Sequence, residues 1–281
     1  MTTTTMPTMT MPTMKMPLRR VWGAYRAEAR FETLRHLRAP AFAAPFLAIP
    51  VTLYLLFGTI AASSTNAAEA ATVPVRLFTG FGIVGIMGPA LFAFGMAVAL
   101  DREQGLLKLK RALPMPPMAY LLGKMCMAML FSVLVMLSLV VAAVTTRDLG
   151  LSAWQLASVL AIGVVGTLPF CAIGLFIGTR VAGRTAPAFV NLAYLPMVYL
   201  SGLFFPLPPS IQNVVLVSPA FHINQLALQA AGVPRILPPA WHVAALVGVT
   251  VLFAGLAVRR VVKYGVKEGL TGARSRVCGS G

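Results

Sequence analysis

Acidic residues are scarce in this chain: seven Asp and Glu stand against 23 Lys and Arg in 281 residues, a formal net charge of +16. The three cysteines, Cys126, Cys171 and Cys278, are too few and too scattered for a disulfide framework or a metal cluster. The three histidines, His36, His222 and His242, stand without paired ligands, so no metal site is expected. A G-x-x-x-x-G-K-[ST] phosphate loop is missing too. Gly123-Lys124-Met125 lacks both the preceding glycine and the hydroxyl that such a loop needs. No G-x-S-x-G surrounds any serine, and Ser201 with His222 and His242 has no acidic orienter to make a nucleophile and base. These absences leave the chain with no expected catalytic residue, cofactor site or metal site.

What the chain does have is apolar length. Six stretches, at about 41–62, 78–100, 121–144, 154–178, 188–205 and 240–258, each approach the thickness of a bilayer. They are read as free of internal charge, with Lys124, although inside the bounds of the third, counted in the connection before it. In lipid the backbone must satisfy its own hydrogen bonds within each segment, which a helix does. The expected fold is an all-α membrane protein of six spans.

Charge orients it. Twenty of the 23 Lys and Arg fall before the first stretch, between the second and third, between the fourth and fifth, or after the last. Only Arg76, Arg147 and Arg235 fall on the other connections. Excess Lys and Arg mark the cytoplasmic side, so both termini are expected there. A sequence pI near 10.9 then reflects this bias and contact with anionic headgroups rather than nucleic acid.

The ends and two connections have their own character. Residues 1–17, MTTTTMPTMTMPTMKMP, are low-complexity, broken by proline and without the apolar centre of a signal peptide. A disordered tail is expected there, with Met14 and Met16 as alternative starts. Residues 265–281 read as a cytoplasmic tail, loose from Gly269 onward. Over Leu18–Leu37, Leu18, Val21, Trp22, Tyr25 and Ala29 share one helical stripe, with Arg19, Arg20, Arg26 and Arg30 beside it. This predicts an N-terminal interfacial helix in the headgroup layer; a solvated basic leader is the alternative. In Asp101–Pro117, DREQGLLKLKRALPMPP, Leu106, Leu109 and Leu113 share a face opposite Lys108 and Arg111. Gly105 interrupts the exit from the second span and Pro114 ends the short helix.

That segment carries a resemblance. Asp101-Arg102-Glu103-Gln104-Gly105-Leu106, continuing through Arg111-Ala112-Leu113-Pro114 to Pro117-Met118-Ala119-Tyr120-Leu121-Leu122-Gly123-Lys124, resembles the cytoplasmic coupling segment of type-2 ATP-binding-cassette (ABC) exporter permeases. Asp101 stands where Glu is common in that family. Leu195-Pro196 with Ser201-Gly202-Leu203-Phe204-Phe205-Pro206 resembles the family's fifth span and its exit. Ser218-Pro219-Ala220-Phe221-His222 resembles the motif before its last span. The likeness runs from about Leu18 to Lys263, so residues 18–264 are expected to form one transmembrane domain.

The resemblance implies a dimeric permease, homo- or heteromeric, served by a separate cytoplasmic ATPase that binds ATP and Mg2+. It implies that Asp101, Arg102, Glu103, Gly105, Leu106, Leu109, Arg111 and Pro114 form the coupling helix that engages this ATPase. For Arg102 and Glu103 the plain alternative is a snorkelling cation and a helix-start anion. It also places short re-entrant helices at the outer gate, with Pro206, Pro219 and His222. There His222 and Asn224 either meet substrate or, the reading favoured, satisfy backbone ends. Spans read as free of charge offer no proton relay or coupling-ion site, which agrees with an external motor. They suit a hydrophobic or amphiphilic cargo: a drug, antimicrobial or lipid-linked molecule, exported through the cytoplasmic (inner) membrane of a prokaryote. A passive scaffold or channel, or an intramembrane hydrolase at Ser201, are the rival classes.

Two packing features complete the reading. Gly174-Leu175-Phe176-Ile177-Gly178 is a G-x-x-x-G, serving either a subunit interface or, the reading favoured, tight packing within one subunit. Pro89, Pro169 and Pro196 should kink spans two, four and five.

Overall fold

The computed structural model describes residues 17–64, 72–112, 116–146, 149–202, 212–233 and 237–278. The fold is all-helical, with no strand among the described residues. Helix α1 (Leu18–Leu37) leads into α2 (Pro40–Ser64), then α3 (Val73–Gly88), a π-helical turn (Pro89–Ala93) and α4 (Phe94–Glu103). The short α5 (Leu106–Ala112) precedes α6 (Pro117–Thr146), α7 (Ala153–Val165) and α8 (Thr167–Gly178). Then come α9 (Ala186–Leu200), α10 (Gln212–Val215), α11 (Pro219–Ala230) and α12 (Pro239–Cys278).

Five of the expected spans are long and apolar enough to cross a bilayer: Pro40–Ala61, Val73–Glu103, Met118–Thr146, Ala153–Gly178 and Pro239–Arg260. The fifth expected stretch appears as α9, a shorter apolar helix of 15 residues. Its expected exit at Pro206 lies outside the described residues, as do Pro114 and residues 1–16. The last helix continues through Cys278, where a loose tail was expected.

The second span is the centre of the bundle. It is 83% buried over its most apolar window, against 17% for the first span and 11% for the last. Its side chains Phe78, Phe81, Ile86, Met87, Leu91 and Phe94 are fully enclosed. Glycine makes this packing possible: a Cβ on Gly174 would lie 2.9 Å from the Ala90 carbonyl, and one on Gly178 would lie 2.4 Å from that of Gly95. The G-x-x-x-G therefore serves contact between α8 and α4 within one subunit, as favoured from sequence.

The three prolines expected to kink the spans stand in three different settings. Pro89 opens the π-helical turn, and it has no amide hydrogen for the Gly85 carbonyl in α geometry or the Val84 carbonyl in π geometry. The Tyr194 hydroxyl of α9 donates to that Val84 carbonyl at 3.3 Å. Pro169 lies in the first turn of α8, just past the break at Gly166 that divides span four into α7 and α8. Pro196 lies within α9. Pro45 and Pro50 stand inside α2 as well, and sequence reading passed over both.

Candidate functional site

The third span starts earlier than expected. Helix α6 begins at Pro117, so Lys124 sits inside it, fully buried, rather than in the preceding connection. This corrects the reading of the spans as free of charge. A lysine in that position needs partners, because an isolated ammonium is strongly disfavoured away from water. Two carboxylates supply them. Lys124 Nζ lies 3.0 Å from Glu32 Oε1 on α1 and 3.1 Å from Asp101 Oδ2 on α4, and both acids are fully buried.

The cluster has a second layer. The Tyr120 hydroxyl, one turn before Lys124, donates to Asp101 Oδ2 at 2.7 Å. Arg35 approaches Asp101 Oδ1 at 3.6 Å from the half-exposed side of α1. Lys110 of α5 pairs with Glu28 and lies 3.8 Å from Glu32 Oε1. The ammonium groups of Lys110 and Lys124 sit 4.6 Å and 4.8 Å from the centre of the Tyr120 ring. Three acids (Glu28, Glu32, Asp101) and three bases (Arg35, Lys110, Lys124) thus balance, which makes their burial tolerable.

Backbone geometry brings these groups together. Gly123 lets α1 approach α6 closely: a Cβ there would lie 2.8 Å from Glu28 Cγ and 3.2 Å from the Glu28 backbone. In α1, Val21, Tyr25, Glu28 and Ala29 are partly covered and Glu32 and His36 buried, while Leu18 and Trp22 stay exposed. The expected apolar stripe is therefore split between the bundle and the surroundings. His36 Nδ1 donates to the Glu32 carbonyl at 2.9 Å, and its ring packs edge-on against Phe42. Burial holds this imidazole below its usual range, against the opposing pull of Glu32.

The residues expected to form the coupling segment divide into two groups. Asp101 is buried in the cluster, so it faces inward. Arg102 also turns inward, donating to the carbonyls of Thr179 and Val181, the latter at 2.7 Å. It thereby caps the end of α8 and ties it to α4. Glu103 is exposed and reaches over Gly183, where any side chain would strike its carboxylate. Gly105 adopts φ +71° and reverses the chain into α5. In α5, Leu107 packs on the core, Leu106 is half-buried, and Leu109 stands 61% exposed. Arg111 lies within α5, its side chain outside the description, and Pro114 lies outside the described residues.

At the other end, α10 and α11 occupy the stretch where short helices were expected. Pro219 is the first residue of α11, where its missing amide hydrogen costs nothing. Asn224 Nδ2 donates to the Ser201 carbonyl at 3.0 Å, closing the end of α9. His222 Nε2 donates to the Leu216 carbonyl at 2.8 Å. Both meet backbone carbonyls at helix ends. The pairing of histidines was missed: His222 Nδ1 and His242 Nδ1 are 2.8 Å apart, both buried. The Ser201 hydroxyl donates to the Val198 carbonyl of its own helix at 2.6 Å. Among the described residues no group of three or more His, Cys, Asp or Glu could hold a metal ion.

Sequence comparison agrees with this organisation. The family model described as ABC-2 type transporter matches residues 24–231, from within α1 to the end of α11. The protein YvfS of Bacillus subtilis (strain 168), which carries the name of a transport permease, is 24% identical over 198 residues. That alignment covers 69% of this chain and 79% of YvfS.

Proposed function

Because the chain belongs to the ABC-2 type transporter family, we propose that it is the permease subunit of an ATP-driven exporter whose energy comes from a separate ATPase. In this reading α9 is the sixth crossing, both termini are cytoplasmic, and two permease subunits enclose the path. The membrane is the cytoplasmic (inner) membrane of a prokaryote. ATP and Mg2+ are bound by the ATPase, and the cargo is a hydrophobic or amphiphilic molecule, a class that includes drugs, antimicrobials and lipid-linked molecules.

One observation carries the reading: α5 turns Leu109 outward and is tied to α1 and α4 directly, and through α4 to α6 and α8. The turn at Gly105 folds it back from α4, and its Lys110 is paired with Glu28 of α1. Asp101 fastens α4 to α6 through Tyr120 and Lys124, and Arg102 fastens α4 to the end of α8. A push on α5 is thus delivered to α1, α4, α6 and α8 together. Buried ion pairs transmit it well, because separating them exposes uncompensated charge. Leu109 offers the exposed apolar contact that a docking partner would cover.

The test is affinity purification of the tagged chain from its native membrane in mild detergent, with mass spectrometry of what co-purifies. The expected outcome is an ATPase in about equal amount, lost in Leu109→Asp while the variant still inserts. Leu109 is exposed, so this change spares the fold. Recovery of the chain alone in several detergents would instead favour a passive scaffold or channel.

A further inference from the structure

The two histidines that meet beside α11 form a site that the coupling reading does not use. His222 lies in the first turn of α11 and His242 near the start of α12, and both rings are buried. Their Nδ1 atoms are 2.8 Å apart, so one must donate and the other accept. The far nitrogen of His222, Nε2, faces the Leu216 carbonyl at 2.8 Å, and a carbonyl only accepts. A neutral His222 therefore carries its hydrogen on Nε2, and the Nδ1 hydrogen between the rings belongs to His242. His242 Nε2 is buried and makes no hydrogen bond of ordinary geometry among the described residues, and the Leu237 carbonyl lies beside that ring as an acceptor for a hydrogen placed on it.

This arrangement has a definite proton capacity. One added proton goes to His242 Nε2 and leaves both hydrogen bonds intact. A second can only go to His222 Nδ1, which sets two N–H groups and two positive charges against each other across 2.8 Å. One ring must then turn away, and the contact between α11 and α12 is lost at that point.

Few other ionisable groups lie on the elements packed against the pair. Helix α7 has none, α3 carries the exposed Arg76, α8 carries Cys171, and α9 carries Tyr194 and Tyr199. Arg259 and Arg260 lie about 25 Å further along α12 at helical rise. The Leu237 carbonyl is a further acceptor beside His242. No carboxylate stands on these packed helices, up to the end of the lateral packing of α12 at Arg260, to shield a doubly charged pair.

We infer that His222 and His242 form a proton-sensitive clasp: it pins α11 to the last helix while the pair holds at most one added proton, and releases it when both rings are charged. The clasp rests on geometry alone. Only its assignment to the outer face of the membrane rests on the proposed topology.

Two measurements on the full chain in lipid nanodiscs test it, and neither needs an ATPase or a cargo. The first is nitrogen-15 NMR of histidine-labelled protein, which contains only three imidazoles. Near pH 7.5 one ring, lost in His242→Gln, should hold its hydrogen on Nδ1; finding both rings protonated only on Nε2 would overturn the assignment. The second is amide exchange across residues 219–230, expressed as protection relative to α7. Protection should fall about tenfold or more between pH 7.5 and 4.5, the loss of a buried hydrogen bond. His222→Gln and His242→Gln should each flatten that profile. A flat profile in the unmodified chain, or an unchanged fall in both variants, would refute the clasp.

Discussion

At the scale of single residues, Lys124 bears the heaviest demand. It is the buried cation between Glu32 and Asp101, and removing it leaves two carboxylates facing each other in an enclosed site. Lys110 and Arg35 stand 3.8 Å and 3.6 Å away and compensate only in part. Lys124→Met should therefore cost about 3 kcal/mol, the lower end for breaking a buried pair. Thermal unfolding in detergent would measure it, and a loss below about 1 kcal/mol would mean that the cluster is wetter than its burial indicates. His36 gives a second prediction at this scale. Its folded form resists protonation because it is buried, whereas the unfolded chain takes up a proton near the ordinary value of 6.5. Its contribution is thus complete above that pH and is lost as pH falls below it. Melting temperature should drop between pH 7.5 and 5.5 by more in the unmodified chain than in His36→Gln. Equal drops would assign the acid sensitivity to other groups.

At the scale of elements, the crossing of α4 over α8 sets the tolerance of the bundle. Gly178→Ala would drive a methyl group to 2.4 Å from the Gly95 carbonyl, a collision with backbone that no side-chain rotation relieves. The expected loss is about 1–3 kcal/mol or more. Gly255 in α12 has nothing within 4 Å of its would-be Cβ, so Gly255→Ala should lie within about 1 kcal/mol of neutral. Unfolding of the two variants in the same detergent makes the comparison, and equal stability would contradict the close packing. Sequence revealed much at this scale. The bounds of α1 followed from its periodicity, and a G-x-x-x-G has few uses besides close approach. The partners were harder to see. Lys124 and Glu32 are 92 positions apart, and a hydropathy reading treats a lysine near a span end as part of the connection. The motif Asp101…Tyr120…Lys124 was recognised as a pattern, but that its ends bond to each other depends on how α4 and α6 pack. His222 and His242 lie on separate helices, and neither local sequence announces the other. Glycine at 123 was noted for a phosphate loop that it lacks; its actual use is to admit the backbone of α1.

At the scale of the whole molecule, the charged cluster and the histidine pair occupy opposite ends. All three tryptophans, Trp22, Trp154 and Trp241, are exposed at helix starts, as residues of the membrane–water boundary tend to be. This supports a topology testable by labelling. In a chain stripped of Cys126, Cys171 and Cys278, Val217→Cys should react with an impermeant maleimide added outside intact cells. Leu109→Cys should react only after permeabilisation, and the reverse pattern would invert the proposed orientation.

The separation of Glu32 from Lys124 also has a consequence for the order of synthesis. Helix α1 leaves the ribosome with two carboxylates on its packing face, and their counter-ions are not made until α5 and α6 follow. Until then α1 has no reason to settle against the membrane bundle. The ion cluster therefore acts as a record that the third span has arrived, and a nascent chain halted before Lys124 should leave α1 open to chaperones and proteases.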